Sequence, residues 1–548
     1  MSDSEKTPMT KPSSVAHTKM ASHSHKPSEA TLVDSDDFVK KKGHSHKPSE
    51  ATLIDEQIAR PAAVVRVINH SSRPSEVTLI NGESPLVLEK PSKEMSSSDL
   101  ESPGDLEAQT PLPKPKRLAW LRYAIMTIYR RLFSLVFLAN MGVFVYVMIS
   151  NRKLTALVNA SAANLLACGL ARQPLVVNTI FKVVLSVPRS APYALRKWLS
   201  KVYHYGGVHS GCGITALVWY IGFVGLMSHE YWSPSAAIKF SAAPVAVAYI
   251  ILVLLMTIAV VAHPKFRMKR HDHFELTHRF LGWLVVAMFV VLLMLFAHEI
   301  SRAEGQSMGS FVAELPAFWF LMVTVAAIIH PWLLLRKVTV RAEPLSTHAV
   351  RLHFDHTTTT FGKGTSLSKH PLRDWHGFAT FPDPAPAGAT GKPSFSVLVS
   401  KAGDWTSETI NHPPSHLYKR GVLIYGFAYA MRVFKRVIVV TTGSGIGPCL
   451  SFLGDDNRPA LRVLWQTRAP LKTYGQGVLD LVHKMDANPI IMDTNVVGRV
   501  DMVPIVQRQV QEFDAEAVCV ISNPVLTARI VYELESRGIP AFGPIFDS

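Results

Sequence analysis

The chain has 548 residues, with 57 Lys and Arg against 41 Asp and Glu and a formal net charge of +16. Apolar residues make up 48% and charged ones only 18%, which excludes a wholly disordered chain and argues against one soluble domain. The basic residues cluster beside apolar runs of membrane-spanning length between about 130 and 335, so the charge points to the positive-inside rule and not to nucleic acid.

Residues 1–117 are rich in Ser, Pro, Lys, His and Glu and nearly free of aromatics. They bury too little apolar surface to offset their ordering entropy, so a disordered tail is expected, with no apolar core for a cleavable signal peptide. The stretch His25–Asp34 (HKPSEATLVD) returns as His46–Asp55 (HKPSEATLID) and, more loosely, as Arg73–Asn81 (RPSEVTLIN). One reading is a triplicated docking peptide, with a kinase site at its basic-Pro-Ser start and a short augmenting strand at its end. The other is segmental duplication in an unconstrained tail. Pro111–Arg117 closes the tail as a stiff basic stalk.

Residues 118–337 read as a helical membrane domain. A crossing helix needs about 20 apolar residues. Candidates are Leu132–Ser150, Thr155–Val187, Val208–Ser228, Ala242–Ala262, Phe280–Ala297 and Phe311–Leu335. The second is the weakest, since Asn159, Asn164, Arg172 and Pro174 interrupt it. Basic residues precede the first span (Arg122, Arg130, Arg131), fill the loops after the second (Arg189, Arg196, Lys197, Lys201) and fourth (Lys265, Arg267, Lys269, Arg270), and follow the sixth (Arg336, Lys337). Six spans with both termini cytoplasmic are therefore expected. His209 and His229 flank the third span, and His278 and His298 the fifth. These histidines are either interfacial or haem ligands. The two levels are about 30 Å apart and point to nearly opposite faces, so haem is not expected, and no metal site is.

Residues 338–548 begin with strand patterns at Lys337–Ala342, Ala349–Phe354, Gly377–Phe381 and Ser394–Ser400. Strand–helix alternation follows, with strands at Arg436–Thr442, Leu461–Thr467, Pro489–Asp493 and Ala517–Ser522, so two lobes are expected. The sharpest motif is an apolar strand running into Gly443-Ser444-Gly445-Ile446-Gly447-Pro448 and then an apolar helical pattern. Glycines let a backbone approach a pyrophosphate, and a helix N-terminus stabilises its charge. A glycine turn without a ligand is the plain alternative. The four cysteines, Cys168, Cys212, Cys449 and Cys519, show no CxxC spacing, so neither a disulfide framework nor a cysteine zinc site is indicated.

These motifs resemble the ferredoxin-reductase-type module of the ferric reductase and NADPH oxidase superfamily, and within it the fungal TmpA-type integral membrane flavoproteins. The resemblance implies an FAD-binding β-barrel-like domain over 338–430 and an NAD(P)-binding α/β domain over 431–548. It implies nicotinamide binding at Gly443–Pro448 and a flavin motif at Trp375-His376-Gly377-Phe378-Ala379-Thr380. It implies a flavin pyrophosphate segment at Lys401-Ala402-Gly403-Asp404-Trp405-Thr406, a second nicotinamide contact at Gly498-Arg499, and a flavin-covering aromatic at Phe546 or Phe542. Gly377 replaces the family's proline, and Ser522-Asn523-Pro524 stands where the family has Cys-Gly-Pro.

The residue chemistry runs alongside. His376, Phe378 and Thr380 alternate, so they share one strand face: an imidazole, an aromatic surface and a hydroxyl, as a flavin requires. An edge strand with an aromatic plug is the alternative, and Trp405 is equally readable as core. Arg468, just past the second strand of the α/β part, and Arg499 offer cations for a ribose 2′-phosphate; otherwise both are solvated charges. The expectation is a membrane-tethered oxidoreductase passing electrons from cytosolic NADPH, in preference to NADH, through FAD to an unidentified acceptor. A role in fungal developmental signalling is implied by the resemblance alone. The alternatives are a catalytically degenerate flavoprotein sensor and a haem-bearing transmembrane electron carrier. No catalytic side chain is singled out.

Overall fold

The computed structural model describes residues 114–150, 152–236, 238–383 and 394–544. The tail repeats and Phe546 lie outside the described residues.

Among the described residues, five helical stretches are long and apolar enough to cross a bilayer: Ile128–Ser150 (α1), Tyr193–Trp232, Ala242–Val261 (α5), His271–Glu304 (α6) and Pro316–Leu333 (α7). The continuous α-helical part of the second stretch is Gly206–Trp232 (α4). The remaining expected span, Thr155–Val187, is not one helix. It is Leu154–Leu170 (α2) and Pro174–Val184 (α3), bent by 74°. Pro174 has no N–H for the preceding turn, and the Gln173 side chain accepts from Leu175 N at 2.6 Å and Val176 N at 3.0 Å, so a new helix starts there.

The polar residues that weaken α2 as a span hold it in the bundle. Asn164 Nδ2 donates to Asn140 Oδ1 of α1 at 2.9 Å, and Thr215 Oγ1 of α4 donates to Asn164 Oδ1 at 2.8 Å. Trp219 Nε1 donates to the same Asn140 oxygen at 3.0 Å, and Asn159 Oδ1 caps α7 through Ala317 N at 2.9 Å. Polar side chains in an apolar bundle pair between helices in this way. The α1–α4 seam is close: a Cβ at Gly207 would lie 2.4 Å from Tyr129 O, and one at Gly211 3.0 Å from Val136 Cβ.

α3 leaves the bundle. Its Val177 and Phe181 are buried with residues of the C-terminal half. Asn178 Nδ2 donates to Leu423 O, and Tyr425 N donates to Asn178 Oδ1, both at 2.9 Å. The segment after α3 docks beyond it. Arg196, 4% exposed, forms a two-pronged pair with Glu516 at 2.8 Å, and Lys201 Nζ reaches Glu535 at 2.9 Å.

The C-terminal half begins directly after α7. β1 (Arg336–Thr339), β8 (His416–Lys419), β4 (Lys363–Ser368) and β5 (His376–Ala379) form one antiparallel sheet, with β9 (Ile424–Tyr425) on β4. β2 (Arg341–Pro344), β3 (Ala349–Phe354), β7 (Phe395–Ser400) and β6 (Phe381–Pro382) form another. Val350, Leu352, Phe354, Val397, Val399 and Leu417 fill the core of these antiparallel strands. A parallel sheet follows in the order β12-β11-β10-β13-β14: β12 (Ile490–Asp493), β11 (Ala460–Thr467), β10 (Arg436–Thr442), β13 (Ala517–Ile521) and β14 (Ala541–Phe542). Val437–Val440 of β10 are fully buried, as a strand covered on both faces requires.

Candidate cofactor site

Ligands of open parallel sheets sit beyond the carboxyl ends of the strands. Four segments meet at that edge. Gly443 follows β10 with φ +49°, and a Cβ there would meet nothing within 4 Å. Gly445 has no such room: its Cβ would lie 2.4 Å from Ile521 O. Thr441 Oγ1 donates to that same carbonyl at 2.8 Å, so the turn is pressed against β13. Trp465 Nε1 of β11 donates to Gly443 O at 2.9 Å. Ser444 is exposed and Ile446 buried. A Cβ at Gly447 would lie 3.2 Å from Leu398 Cβ of β7, so the turn also abuts the antiparallel half. The helix expected after Pro448 is short: Ile446–Cys449, continued as a 3-10 segment to Gly454.

Arg468, just past β11, and Arg499 are both exposed, with no side-chain partner among the described residues. Gln466 Nε2 donates to Val500 O at 3.0 Å, which brings the Gly498–Arg499 turn (Gly498 φ +72°) beside the end of β11. The Ser522-Asn523-Pro524 segment starts the helix Pro524–Ser536, with Asn523 Oδ1 accepting from Leu526 N at 3.0 Å. The Ser522 hydroxyl is bonded to that of Thr442.

The segment expected to bind flavin, Trp375–Thr380, lies on β5 and at its two ends. The His376 and Phe378 rings both face Trp405, with centroids at 4.6 and 5.6 Å. His376 Nε2 bonds Asp374 Oδ2 at 2.7 Å. Burial by itself raises the Asp374 carboxyl, but this bond and Arg373 nearby hold it below the usual carboxylate range. Thr380 does not join them. It is fully buried, its Oγ1 bonded to Thr359 Oγ1 at 2.6 Å and to Lys363 O at 3.0 Å. Strand alternation ends at Ala379, and the hydroxyl is taken up by the turn beside β4.

Trp405 is 8% exposed and its Nε1 has no acceptor among the described residues. It opens the helix Asp404–Asn411. Ala402 N and Gly403 N donate to Thr406 Oγ1 at 2.8 and 2.9 Å, and a Cβ at Gly403 would meet nothing within 4 Å. Lys401 is exposed at the end of β7. Lys369, which carried no signal in the sequence, lies over the Trp405 ring at 5.4 Å and pairs with Glu408 at 2.7 Å. Phe542, expected as a possible flavin-covering aromatic, lies in the core at the edge of the parallel sheet. It is fully buried, 5.4 Å from Phe434, with Lys201 Nζ 3.7 Å above its ring.

Within the bundle, the His209 and His278 rings lie 6.2 Å apart, and His209 Nδ1 bonds Cys168 O at 2.9 Å. His229 and His298 are exposed at the other ends of their helices.

A family model described as "Adenylate-forming reductase 03009, C-terminal domain" matches residues 427–548. Adenylate-forming reductase 03009 of Coprinopsis cinerea is 40% identical over 429 residues, covering 78% of this chain and 41% of the relative. Adenylate-forming reductase 06235 of the same organism is 40% identical over 451 residues, covering 81% of this chain and 43% of the relative. The chain thus spans about two fifths of the length of these relatives. Among solved structures, a flavohemoglobin from Malassezia yamatoensis with bound FAD and heme is 12% identical, covers 70% of this chain and 98% of its own, and has a TM-score of 0.33. A ferredoxin-NADP+ reductase from Plasmodium falciparum with 2′P-AMP is 14% identical, covers 38% and 95%, and has a TM-score of 0.28.

Proposed function

We propose that the chain is a membrane-integral NAD(P)H-dependent flavin oxidoreductase. In this reading NADPH binds at the Gly443–Pro448 turn, FAD binds beside His376, Phe378 and Trp405, and electrons pass to an acceptor outside the module. The observation that carries it is one juxtaposition: an open glycine turn at the carboxyl edge of a parallel sheet, pressed through Gly447 against β7, the strand that leads into Gly403.

The residues present fit both groups. Gly443 leaves its backbone open to a pyrophosphate. Arg468 and Arg499, exposed and without a side-chain partner among the described residues, offer guanidinium groups to a 2′-phosphate. The buried Trp405 N–H, which has no acceptor among the described residues, is free to bond a cofactor oxygen, and Gly403 leaves an unobstructed approach for a pyrophosphate. Asp374 fixes the His376 ring beside Phe378. FAD, when bound, supplies hydride acceptance and one-electron release. The relatives' name, reductase, agrees with this class of chemistry. The apolar helices support membrane insertion, with α2 as the short second crossing and α3 at the boundary of the module, which keeps both termini on one side.

The test is reduction of an artificial electron-accepting dye by the detergent-purified, FAD-supplemented chain. NADPH-dependent reduction is expected, with NADH a poorer donor; no reduction with either nucleotide would refute the proposal. A catalytically silent flavoprotein sensor is the second reading, favoured by Ser522-Asn523-Pro524 serving as a helix cap with no thiol. FAD retention without dye reduction would support it.

A further inference from the structure

A second cationic site lies on the other side of the flavin strand, where the module meets the helices. The Arg420 guanidinium lies against both Trp332 of α7, at 4.8 Å, and Trp375, at 4.5 Å, in the corner that the two rings make. Trp332 meets Trp375 at 6.1 Å and Trp283 of α6 at 5.2 Å. The turn carrying Arg420 is fixed to the end of α7, since Gly421 N donates to Pro331 O at 3.0 Å. Burial, with the Arg279 charge nearby, pulls Arg420 down to about 10.

Arg279 is enclosed, its side chain 8% exposed. Its Nη2 donates to Arg373 O at 2.8 Å and Leu372 O at 3.2 Å, while Nε and Nη1 are buried without a hydrogen-bond acceptor among the described residues. Glu275 stands 3.5 Å from Arg279 Nη1 and faces both guanidinium groups. Arg420 has no hydrogen-bonded carboxylate among the described residues. One enclosed guanidinium group with unmet donors, beside a half-buried one that bonds no carboxylate among the described residues, offers a place for a further anion. This is not the flavin's phosphate site: His376 lies on Trp405, whereas Trp375, its neighbour in sequence, lies on Arg420 and Trp332.

Tryptophans gather at the headgroup level of a bilayer. Three of them converge here, at the ends of two candidate spans that meet the module. We propose that Arg420 and Arg279, framed by Trp283, Trp332 and Trp375, bind the phosphate of an anionic phospholipid in the leaflet facing the reductase module. The site takes a phosphate ester that carries no cation in its own headgroup. It fastens the flavin strand to the bilayer through Trp375. This rests on the reading that α6 and α7 cross a membrane.

The test uses the full chain in detergent, with native mass spectrometry of bound dioctanoyl phosphatidic acid, dioctanoyl phosphatidylcholine and inorganic phosphate. Preferential retention of the phosphatidic acid is expected. Arg420→Gln and Arg279→Gln should each weaken it about 10- to 100-fold, the loss of a charge-assisted hydrogen bond, while exposed Arg341→Ala should not. Size-exclusion profiles identify a misfolded variant, and Arg420→Lys, which keeps the charge but loses the planar contact with the rings, serves in its place with partial loss expected. Equal retention by wild type and the folded variants, or equal competition by inorganic phosphate, would overturn the proposal. Extraction in alkaline carbonate separates the two readings. Release from membranes would refute membrane insertion itself, whereas an integral chain with no phosphatidic acid preference would refute this site alone.

Discussion

Gly443 and Gly445 stand two residues apart and should fail in opposite ways. At Gly445 an added Cβ would lie 2.4 Å from Ile521 O and 2.5 Å from Thr441 Oγ1. Neither is the end of a flexible chain, and the two already share a 2.8 Å hydrogen bond. Overpacking costs about 1–3 kcal/mol and a lost neutral hydrogen bond about 1 kcal/mol, so Gly445→Ala should cost about 2–4 kcal/mol. For a domain of roughly 100 residues that lowers the melting temperature by roughly 10–20 °C. At Gly443 the Cβ would enter open space, and the cost is left-handed backbone strain alone, about 1–2 kcal/mol. That open space is where a nucleotide phosphate would approach, so Gly443→Ala should weaken NADPH binding while melting closer to wild type. Thermal melts of the detergent-solubilised chain read the first effect. Fluorescence of Trp465, bonded to Gly443 O, reads nucleotide binding. If Gly445→Ala melts with wild type, the packing is misassigned. If Gly443→Ala binds NADPH as tightly as wild type, the nucleotide site lies elsewhere.

Arg468→Ala and Arg499→Ala should lower kcat/KM for NADPH by about 10- to 150-fold at most and leave NADH nearly unchanged; equal effects on both nucleotides would mark these arginines as solvated charges only. Glu516 is held below its usual 4.5 chiefly by the hydrogen bond from Arg196. Its folded pKa is depressed, so its contribution is complete above about pH 4.5 and is lost as pH falls through the folded value. Acid melts should therefore show wild type losing stability below pH 4.5 more steeply than Arg196→Ala, which should already be less stable at pH 7; parallel pH profiles would contradict this. Burial pushes the Cys449 thiol up to about 12 and Cys519 well above its usual value. Neither should react with a thiol reagent at pH 8 until the chain is denatured, and fast labelling of either would show the sheet opening.

Parts of this arrangement were legible in the sequence because local pattern and tertiary role coincide there. The β10 strand with its glycine turn reads directly, since an apolar strand buried on both faces must end before Gly443. Asn159 and Asn164 read as interruptions because a hydropathy pattern scores them alone. Their partners on α1, α4 and α7 are distant in sequence. The break at Pro174 was written in the chain, but the docking of Asn178 on β9 was not, since its partner Tyr425 is 247 positions away. β4, Lys363–Ser368, has a polar composition and takes its place by pairing with β5 and β8. Thr380 follows the alternation that His376 and Phe378 set, yet the strand ends one residue before it. Arg420 sits beside Trp332 and Trp375 through tertiary contact alone, which no motif announces.

Anaerobic absorption spectroscopy of the FAD-loaded full chain before and after one equivalent of NADPH tests the central claim most directly. A flavin band without a haem Soret band, bleached by NADPH and less so in Gly443→Ala, is the expected result. A chain that retains no flavin, or whose flavin band is unmoved by NADPH, would contradict it.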